Sequence, residues 1–178
     1  MDELSILIGG KAGDGIDRAG LTIARILNQL NYRLYVYRDY PSIIRGGHTF
    51  SIIRAARKRI SSHTDKVDYI LALNQDAVSL HASRLKPGGV LIYNSDLVKT
   101  NPPPQAVKVI SLALEKMVKE SGGLDIMRNS CIMGAFVRAA GIEWNVLDDA
   151  FRKSITKEID TNLKVARRGY DESKELRK

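Results

Sequence analysis

A chain of 178 residues, 44% of them hydrophobic, is long enough to bury the core of one ordinary domain and too short for two. We therefore expect a single domain over residues 1–178. The sequence starts without a basic, then apolar, signal-peptide pattern, and no apolar run approaches the roughly 20 residues that span a bilayer. A cytoplasmic protein without membrane contact is expected. The single cysteine, Cys131, excludes an intrachain disulfide and a cysteine-built metal cluster within these residues.

The formal net charge of +8 indicates a basic surface, but the cations are spread along the chain. Nucleic-acid binding favours basic residues interleaved with exposed aromatic rings, and only 6% of the residues are aromatic. We therefore expect no nucleic-acid partner. A positive field would still assist an encounter with an acidic protein or with a phosphorylated ligand.

The order of the predicted elements indicates an α/β protein. An apolar run at 4–8 predicts a strand, a glycine-rich turn follows, and apolar residues at helical spacing predict a helix over 16–30. The same reasoning predicts a turn at 86–89, an extended connector at 100–105 and a frayed end at 171–178. Further strands are predicted at 33–38, 48–56, 67–73, 90–94 and 106–112, and further helices at 76–84, 114–120, 131–140, 146–154 and 159–168. This alternation implies a layered, mostly parallel sheet with flanking helices, a Rossmann-like arrangement, and a helical C-terminal segment.

The first glycine-rich stretch, GGKAGDG at 9–15, has features in common with two nucleotide-binding motifs. A Walker loop needs its lysine after the last glycine and a hydroxyl residue directly after the lysine, since the two contact phosphate and magnesium. Lys11 precedes Gly13 and is followed by Ala12, so the Walker interpretation fails. Whatever its ligand, a turn that leaves backbone N–H groups free at the start of a helix favours an anion.

The dinucleotide fingerprint G-x-G-x-x-G fits the same stretch better. Gly13 and Gly15 supply the first pair, and Asp39 lies where an acid that binds ribose is expected. The third glycine position holds Arg18, where close packing of helix on sheet calls for a residue without bulk. A free NAD-dependent dehydrogenase of Rossmann type therefore stays an alternative, and so does a plain tight turn.

The second informative stretch is DYPSIIRGGHTF at 39–50. Arg45 offers a planar fork of donors, and Gly46 and Gly47 permit close backbone approach before the next strand. Arg45 either lies in solvent or binds a phosphate, a carboxylate or a neighbouring chain, and His48 could assist. The three histidines lack metal-ligand spacing, and no catalytic triad or carboxylate pair stands out. The spacing of residues therefore does not indicate an enzyme that works alone.

Six blocks occur in order over nearly the whole chain: GGKAGDGIDRAG, DYPSIIRGGHTFSIIR, VDYILALNQDAV, LKPGGVLIYNSD, NSCIMGAFVRAAGI and LKVARRGYD. This series resembles the gamma component of the 2-oxoacid:ferredoxin oxidoreductases. Many members have G-G-Q-G where this chain has Gly13-Asp14-Gly15, so contacts of that glutamine are not carried over. The second block resembles the enzymes in which this domain is fused ahead of the alpha chain. A chain of this length is then either a separately encoded subunit or an excised domain.

The resemblance implies a non-catalytic part of an enzyme that oxidatively decarboxylates a 2-oxoacid to an acyl-CoA and passes two electrons to ferredoxin. Thiamine diphosphate, Mg and the [4Fe-4S] clusters would be held by partner alpha, beta and delta or ferredoxin-like subunits. The gamma part would help to bind coenzyme A, and a homo-oligomer of the isolated chain or a purely structural assembly role stays open. The candidate site residues are Gly9, Gly10, Lys11, Gly13, Asp14, Gly15, Arg45, Gly46, Gly47 and His48.

Overall fold

In the computed structural model, which describes residues 2–39, 46–99 and 107–173, six strands form one mixed sheet. The strands are β1 (Glu3–Lys11), β2 (Arg33–Asp39), β3 (His48–Ala56), β4 (Val67–Ala72), β5 (Leu85–Asn94) and β6 (Lys108–Leu112). Their order across the sheet is β2-β3-β1-β4-β5-β6. Strand β3 pairs antiparallel with both β1 and β2, whereas β1, β4, β5 and β6 pair in parallel. Of the described strands only β3 runs in the opposite direction, so the predicted α/β class with a mostly parallel sheet is confirmed.

Helices cover the two faces of the sheet unequally. They are α1 (Ile16–Gln29), α2 (Gln75–His81), α3 (Leu114–Glu120), α4 (Arg128–Ala139), α5 (Trp144–Ser154) and α6 (Ile159–Glu172), with single 3₁₀ turns at Ala82–Arg84 and Asp125–Met127. Apolar residues of α1 and α3 to α6 build the larger core on one face, and α2 covers a smaller cluster on the other. None of the described helices is long and apolar enough to span a bilayer.

Most predicted bounds differ from the structure by a few residues, and two of the differences change the interpretation of a segment. The turn predicted at 86–89 lies inside β5, because the pairing with β4 shifts from Val67 opposite Leu85 to Tyr69 opposite Val90. Gly88 has φ of 77° there, so the proline and paired glycines form a bulge within one strand. Helix α6 continues to Glu172, two residues into the segment predicted to fray. The predicted connector at 100–105 and residues 174–178 lie outside the described residues.

Helices α4 and α6 are in backbone contact, and two glycines make this contact sterically allowed. A Cβ on Gly134 of α4 would lie 1.9 Å from the carbonyl oxygen of Ala166, and a Cβ on Gly169 of α6 would lie 2.0 Å from the carbonyl oxygen of Cys131. Real Cβ atoms do not approach backbone atoms this closely, so any side chain at either position must separate the helices. The close packing explains why both helices carry a glycine in a helix interior, where glycine is otherwise unfavourable.

We expect Gly134→Ala to lower the free energy of unfolding by about 3 kcal/mol or more, although alanine is the better helix former. Urea or thermal unfolding of the purified chain measures the change. Lys164→Ala, on the exposed side of α6, is the control and should change stability by less than about 0.5 kcal/mol. A Gly134→Ala protein as stable as the parent would contradict the backbone contact.

Candidate functional site

The two glycine-rich stretches of the sequence meet at the carboxyl end of β1. Lys11 ends β1 directly opposite His48, which begins β3. The backbone N–H of Ala12 donates a hydrogen bond of 2.8 Å to the carbonyl of Gly47. A Cβ on Gly46 would lie 3.9 Å from Cε of Lys11. The segments around Lys11 and Gly46-Gly47 therefore form one surface. Arg45, the second cation of the predicted site, lies outside the described residues.

The glycines of the first stretch divide into two groups. Gly9 and Gly10 are buried inside β1, where a Cβ on Gly10 would lie 2.8 Å from Cδ1 of Ile16 and one on Gly9 would lie 3.2 Å from Cβ of Ala77. Their visible role is to let α1 and α2 pack closely on the strand. The turn proper consists of residues 11–15, Lys11 to Gly15, and is called the glycine loop below.

The glycine loop presents backbone rather than side chains. Gly13 has φ of 102° and Gly15 has φ of 76°, values that favour glycine, and no atom lies within 4 Å of a Cβ built on Gly13. Gly15 is the N-cap of α1 and uses no side chain to satisfy the first N–H groups of that helix. Together with the exposed ammonium of Lys11, these N–H groups form a place where an anion is favoured.

Two residues at the start of α4, which were not among the predicted site residues, hold the loop. The Asn129 amide donates to the carbonyl of Asp14, 115 residues away in sequence. Arg128 lies with Nη2 3.7 Å from the Asp14 carboxylate and Nη1 2.7 Å from the Glu115 carboxylate. A second acid beside the loop, Asp17, lies 3.0 Å from the guanidinium of Arg38. No local motif marks these pairs, because each joins elements that only the tertiary fold brings together.

A cavity of about 680 Å³ adjoins the loop, between the first turns of α1, α4 and α6. Its wall is mixed, with Met133 and Ile155 among the apolar residues and Lys157 among the charged ones. Asn129 also lines it, is only 7% exposed, and its Oδ1 atom has no partner among the described residues. An acceptor buried in this way favours a ligand that brings an N–H or O–H donor.

Two histidines lie beneath the surface formed by the two stretches. The Nε2 atoms of His48 and His81 are 2.8 Å apart, and the His81 ring packs 4.5 Å from the Phe50 ring, centroid to centroid. Burial lowers the pKa of His81 from its ordinary 6.5 to about 4, and the neighbouring His48 and Arg84 add to this effect. Burial also lowers the pKa of His48, against the opposing attraction of Asp76 and Asp39. The pair is therefore neutral at pH 7, with one Nε2–H donating to the other ring.

This pair should make stability depend on pH. Because the folded pKa of His81 lies below its unfolded value, the contribution to stability is complete above about pH 6.5 and is lost as the pH falls towards 4. Between pH 7 and 4.5 the free energy of unfolding of the parent should fall by up to about 2 kcal/mol more than that of His81→Gln, after allowance for partial solvent screening. Urea unfolding across this range measures the difference. His63→Gln, outside the pair, should retain the parental slope, and a parental slope in His81→Gln would contradict the assignment.

The arrangement around β1 differs from that of a dinucleotide site. Strand β3 lies between β1 and β2, so Asp39 at the end of β2 is two strands from β1, about 10 Å at ordinary strand spacing. The close approach of α1 to the sheet is made by Gly20, where a Cβ would lie 2.9 Å from Cβ of Ser51, while Arg18 is exposed. Among the described residues, no group of three or more His, Cys, Asp or Glu could hold a metal ion.

The sequence is similar to those of subunits of enzymes that act on 2-oxoacids. The chain is 32% identical to the 2-oxoacid:ferredoxin oxidoreductase 2, subunit alpha, of Aeropyrum pernix, over 67% of this chain and 18% of that relative. It is 27% identical to the 2-oxoglutarate synthase subunit KorC of Methanocaldococcus jannaschii, over 96% of this chain and 94% of that relative. The chain thus spans about one fifth of the length of the alpha-subunit relatives and nearly all of KorC.

Solved structures share the fold. The keto/oxoacid ferredoxin oxidoreductase gamma subunit of Geobacter sulfurreducens matches with a TM-score of 0.87 at 24% identity over 100% of both chains. A 2-oxoglutarate:ferredoxin oxidoreductase from Magnetococcus marinus, solved with 2-oxoglutarate, coenzyme A and succinyl-CoA bound, matches with a TM-score of 0.87 at 23% identity, over 98% of this chain and 32% of that one. Residues 5–172 match the family described as pyruvate ferredoxin/flavodoxin oxidoreductase, and the chain therefore belongs to that family.

Proposed function

We propose that this chain is the gamma-type part of a 2-oxoacid:ferredoxin oxidoreductase, a single domain over residues 1–178 that is not catalytic alone. The proposed reaction is the oxidative decarboxylation of a 2-oxoacid to an acyl-CoA, with ferredoxin as the electron acceptor. Family membership over residues 5–172 supports this function above a free NAD-dependent dehydrogenase. The matches to KorC and to the Geobacter gamma subunit, each over nearly the full length of both chains, support the gamma-type assignment.

The remaining parts of the reaction are assigned to partners. In this proposal alpha, beta and delta or ferredoxin-like subunits hold thiamine diphosphate, Mg and the [4Fe-4S] clusters, and the complex works in the cytoplasm. Relatives that are named as subunits support an assembly of several chains. The single cysteine of this chain, which is buried and free, supports the assignment of the clusters to other chains, because such clusters are commonly held by four thiolates.

The contribution of this chain is the binding of coenzyme A at the glycine loop. The observation that carries this proposal is a bare loop at a helix N-terminus whose two nearby acids, Asp14 and Asp17, are each paired with an arginine. Such pairing reduces the repulsion that these carboxylates would exert on a phosphate. The exposed Lys11 then adds a positive charge beside the first N–H groups of α1. The coenzyme A bound in the Magnetococcus enzyme, a protein of the same fold, is consistent with this ligand.

In the reconstituted complex, Lys11→Ala should raise the KM for coenzyme A about threefold to tenfold and leave the KM for the 2-oxoacid and kcat nearly unchanged. A charge-assisted hydrogen bond to phosphate is lost, but its contribution is moderate because Lys11 is exposed. Added salt should weaken coenzyme A binding more than binding of the singly charged 2-oxoacid. Steady-state kinetics with each substrate varied in turn measures these effects.

Lys164→Ala removes a cation on α6, away from the loop, and is the matched control for charge. An equal KM for coenzyme A in the Lys11→Ala complex and the parent would remove the support for this site. The chain would then be better described as a structural assembly module.

The purified chain without its partners should show no iron absorbance, bind no thiamine diphosphate and have no decarboxylase activity. The reason is that one cysteine cannot supply a four-thiolate cluster, and the sequence contains no recognisable diphosphate–magnesium motif. Absorbance near 400 nm, metal analysis and a decarboxylation assay test this expectation. Stoichiometric iron or turnover by the chain alone would contradict the proposed division of roles.

A further inference from the structure

Arg128 occupies a position between two carboxylates that belong to different elements. It is the first residue of α4, and its side chain is 20% exposed. Nη1 makes a 2.7 Å ion pair with Glu115 in the first turn of α3, and Nη2 lies 3.7 Å from the Asp14 carboxylate in the glycine loop. The shorter contact fixes the guanidinium to α3, and the longer one brings its charge to the loop.

Glu115 is itself held by a hydrogen bond from a residue of the sheet. Its Oε1 atom also accepts a 3.3 Å hydrogen bond from the side-chain amide of Asn94, which is fully buried at the end of β5. The Asn94 amide donates as well to the carbonyl of Leu73, after β4, and its Oδ1 accepts from the N–H of Leu114. Arg128 is therefore connected by hydrogen bonds to the ends of two central strands, which restrict the position of its guanidinium.

Asp14 is the one residue of the glycine loop with a negative charge. Left unpaired, its carboxylate would repel a phosphate bound at the neighbouring N–H groups. The Asn129 contact holds the Asp14 backbone but does not change its charge, so the two α4 residues act differently on the same loop residue. Of these two residues, Arg128 alone can both hold the loop and offset part of the charge of Asp14, because it shares its guanidinium with Glu115.

We infer that Arg128 is a positioning residue that orders the glycine loop and offsets part of the charge of Asp14, so that the loop accepts an anionic ligand. Its effect on coenzyme A rests on the proposed function, whereas its effect on loop order does not. Arg128 acts through Asp14 and makes no contact with the ligand in this inference. The two routes by which an arginine can assist anion binding, directly or through Asp14, therefore give different results in a double-mutant cycle.

The first arm of the test measures loop order without coenzyme A. Hydrogen–deuterium exchange of the full chain should show the amides of Ala12 and Asp14, which donate to the carbonyls of Gly47 and Lys11, exchanging roughly tenfold faster in Arg128→Gln than in the parent, with the amides of the α4 and α6 interiors unchanged. Arg128→Lys, which retains the charge, should restore part of the protection. Arg152→Gln is the matched control, because it removes an arginine that pairs with Asp148 at 2.8 Å on the exposed side of α5. Unchanged loop exchange, or faster exchange throughout α4 and α6, would overturn the inference.

The second arm uses the reconstituted complex. Arg128→Gln should raise the KM for coenzyme A roughly tenfold with little change in kcat, and adding Asp14→Asn to this variant should recover most of the loss. Additive effects of the two substitutions would mean that Arg128 acts independently of Asp14, and would overturn the inference. Faster loop exchange with a parental KM for coenzyme A in both Arg128→Gln and Lys11→Ala would support loop positioning and reject the coenzyme A proposal instead.

Discussion

The candidate site depends on the backbone contact between α4 and α6. Packed helices are ordinarily separated by 8–10 Å between axes because side chains lie between them. Gly134 and Gly169 place no side chain at the crossing, so the carbonyls of Ala166 and Cys131 contact the opposite helix directly. The same helices begin at the cavity beside the glycine loop, and α4 begins with the two residues that contact Asp14. A wider separation would displace the start of α4 and lengthen contacts that tolerate only a few tenths of an ångström.

Polar residues at the carboxyl ends of the central strands also fix the site, through hydrogen bonds. Asn94 is buried without charge and satisfies groups from β4, α3 and its own turn. Because a buried amide with missing partners is unfavourable, the geometry of Asn94 and Glu115 is strongly restricted. Because Arg128 pairs with Glu115, the position of its guanidinium is restricted as well. An arginine on a flexible surface would lose conformational entropy in pairing with Asp14, whereas an arginine already fixed by Glu115 loses much less.

Local patterns predicted most of the fold because strands and helices here follow clear apolar periodicity. The strand at 48–56 and the helix at 114–120 agree with the structure residue for residue. The bulge in β5 was interpreted as a turn, since Pro87, Gly88 and Gly89 are typical of both and only pairing with β4 distinguishes them. The position of β3 between β1 and β2 also had no local signal. It determines the distance of Asp39 from β1, and hence weakens the dinucleotide interpretation that the sequence left open.

The site was predicted less completely than the fold, for a physical reason. Glycine content marked the stretch at 9–15, but composition alone cannot separate Gly9 and Gly10, which are needed for packing, from Gly13 and Gly15, which have positive φ. The sequence shows Asp14 as a negative charge within a loop that otherwise favours an anion, and it indicates no partner for that charge. Arg128 is that partner, and sequence spacing gives no indication of a pair so distant along the chain. Charge balance at a loop is a tertiary property, and the charge of an acidic residue can be offset in part by a residue that is distant in sequence.

The described groups at this surface are suited to binding rather than to bond making. The glycine loop offers N–H donors, which carry a partial positive charge, and a lysine ammonium, which carries a full one, and both stabilise an anion throughout a reaction. The nearby histidine pair is poorly placed to exchange a proton with a ligand, because its two Nε2 atoms are occupied with each other at 2.8 Å and burial lowers the pKa of both rings. Interactions that are equal in the ground and transition states lower KM without raising kcat. A separate chain can supply such binding while the chemistry proceeds on its partners, which is why a bare loop at a helix N-terminus fits a subunit of a larger enzyme better than an enzyme that works alone.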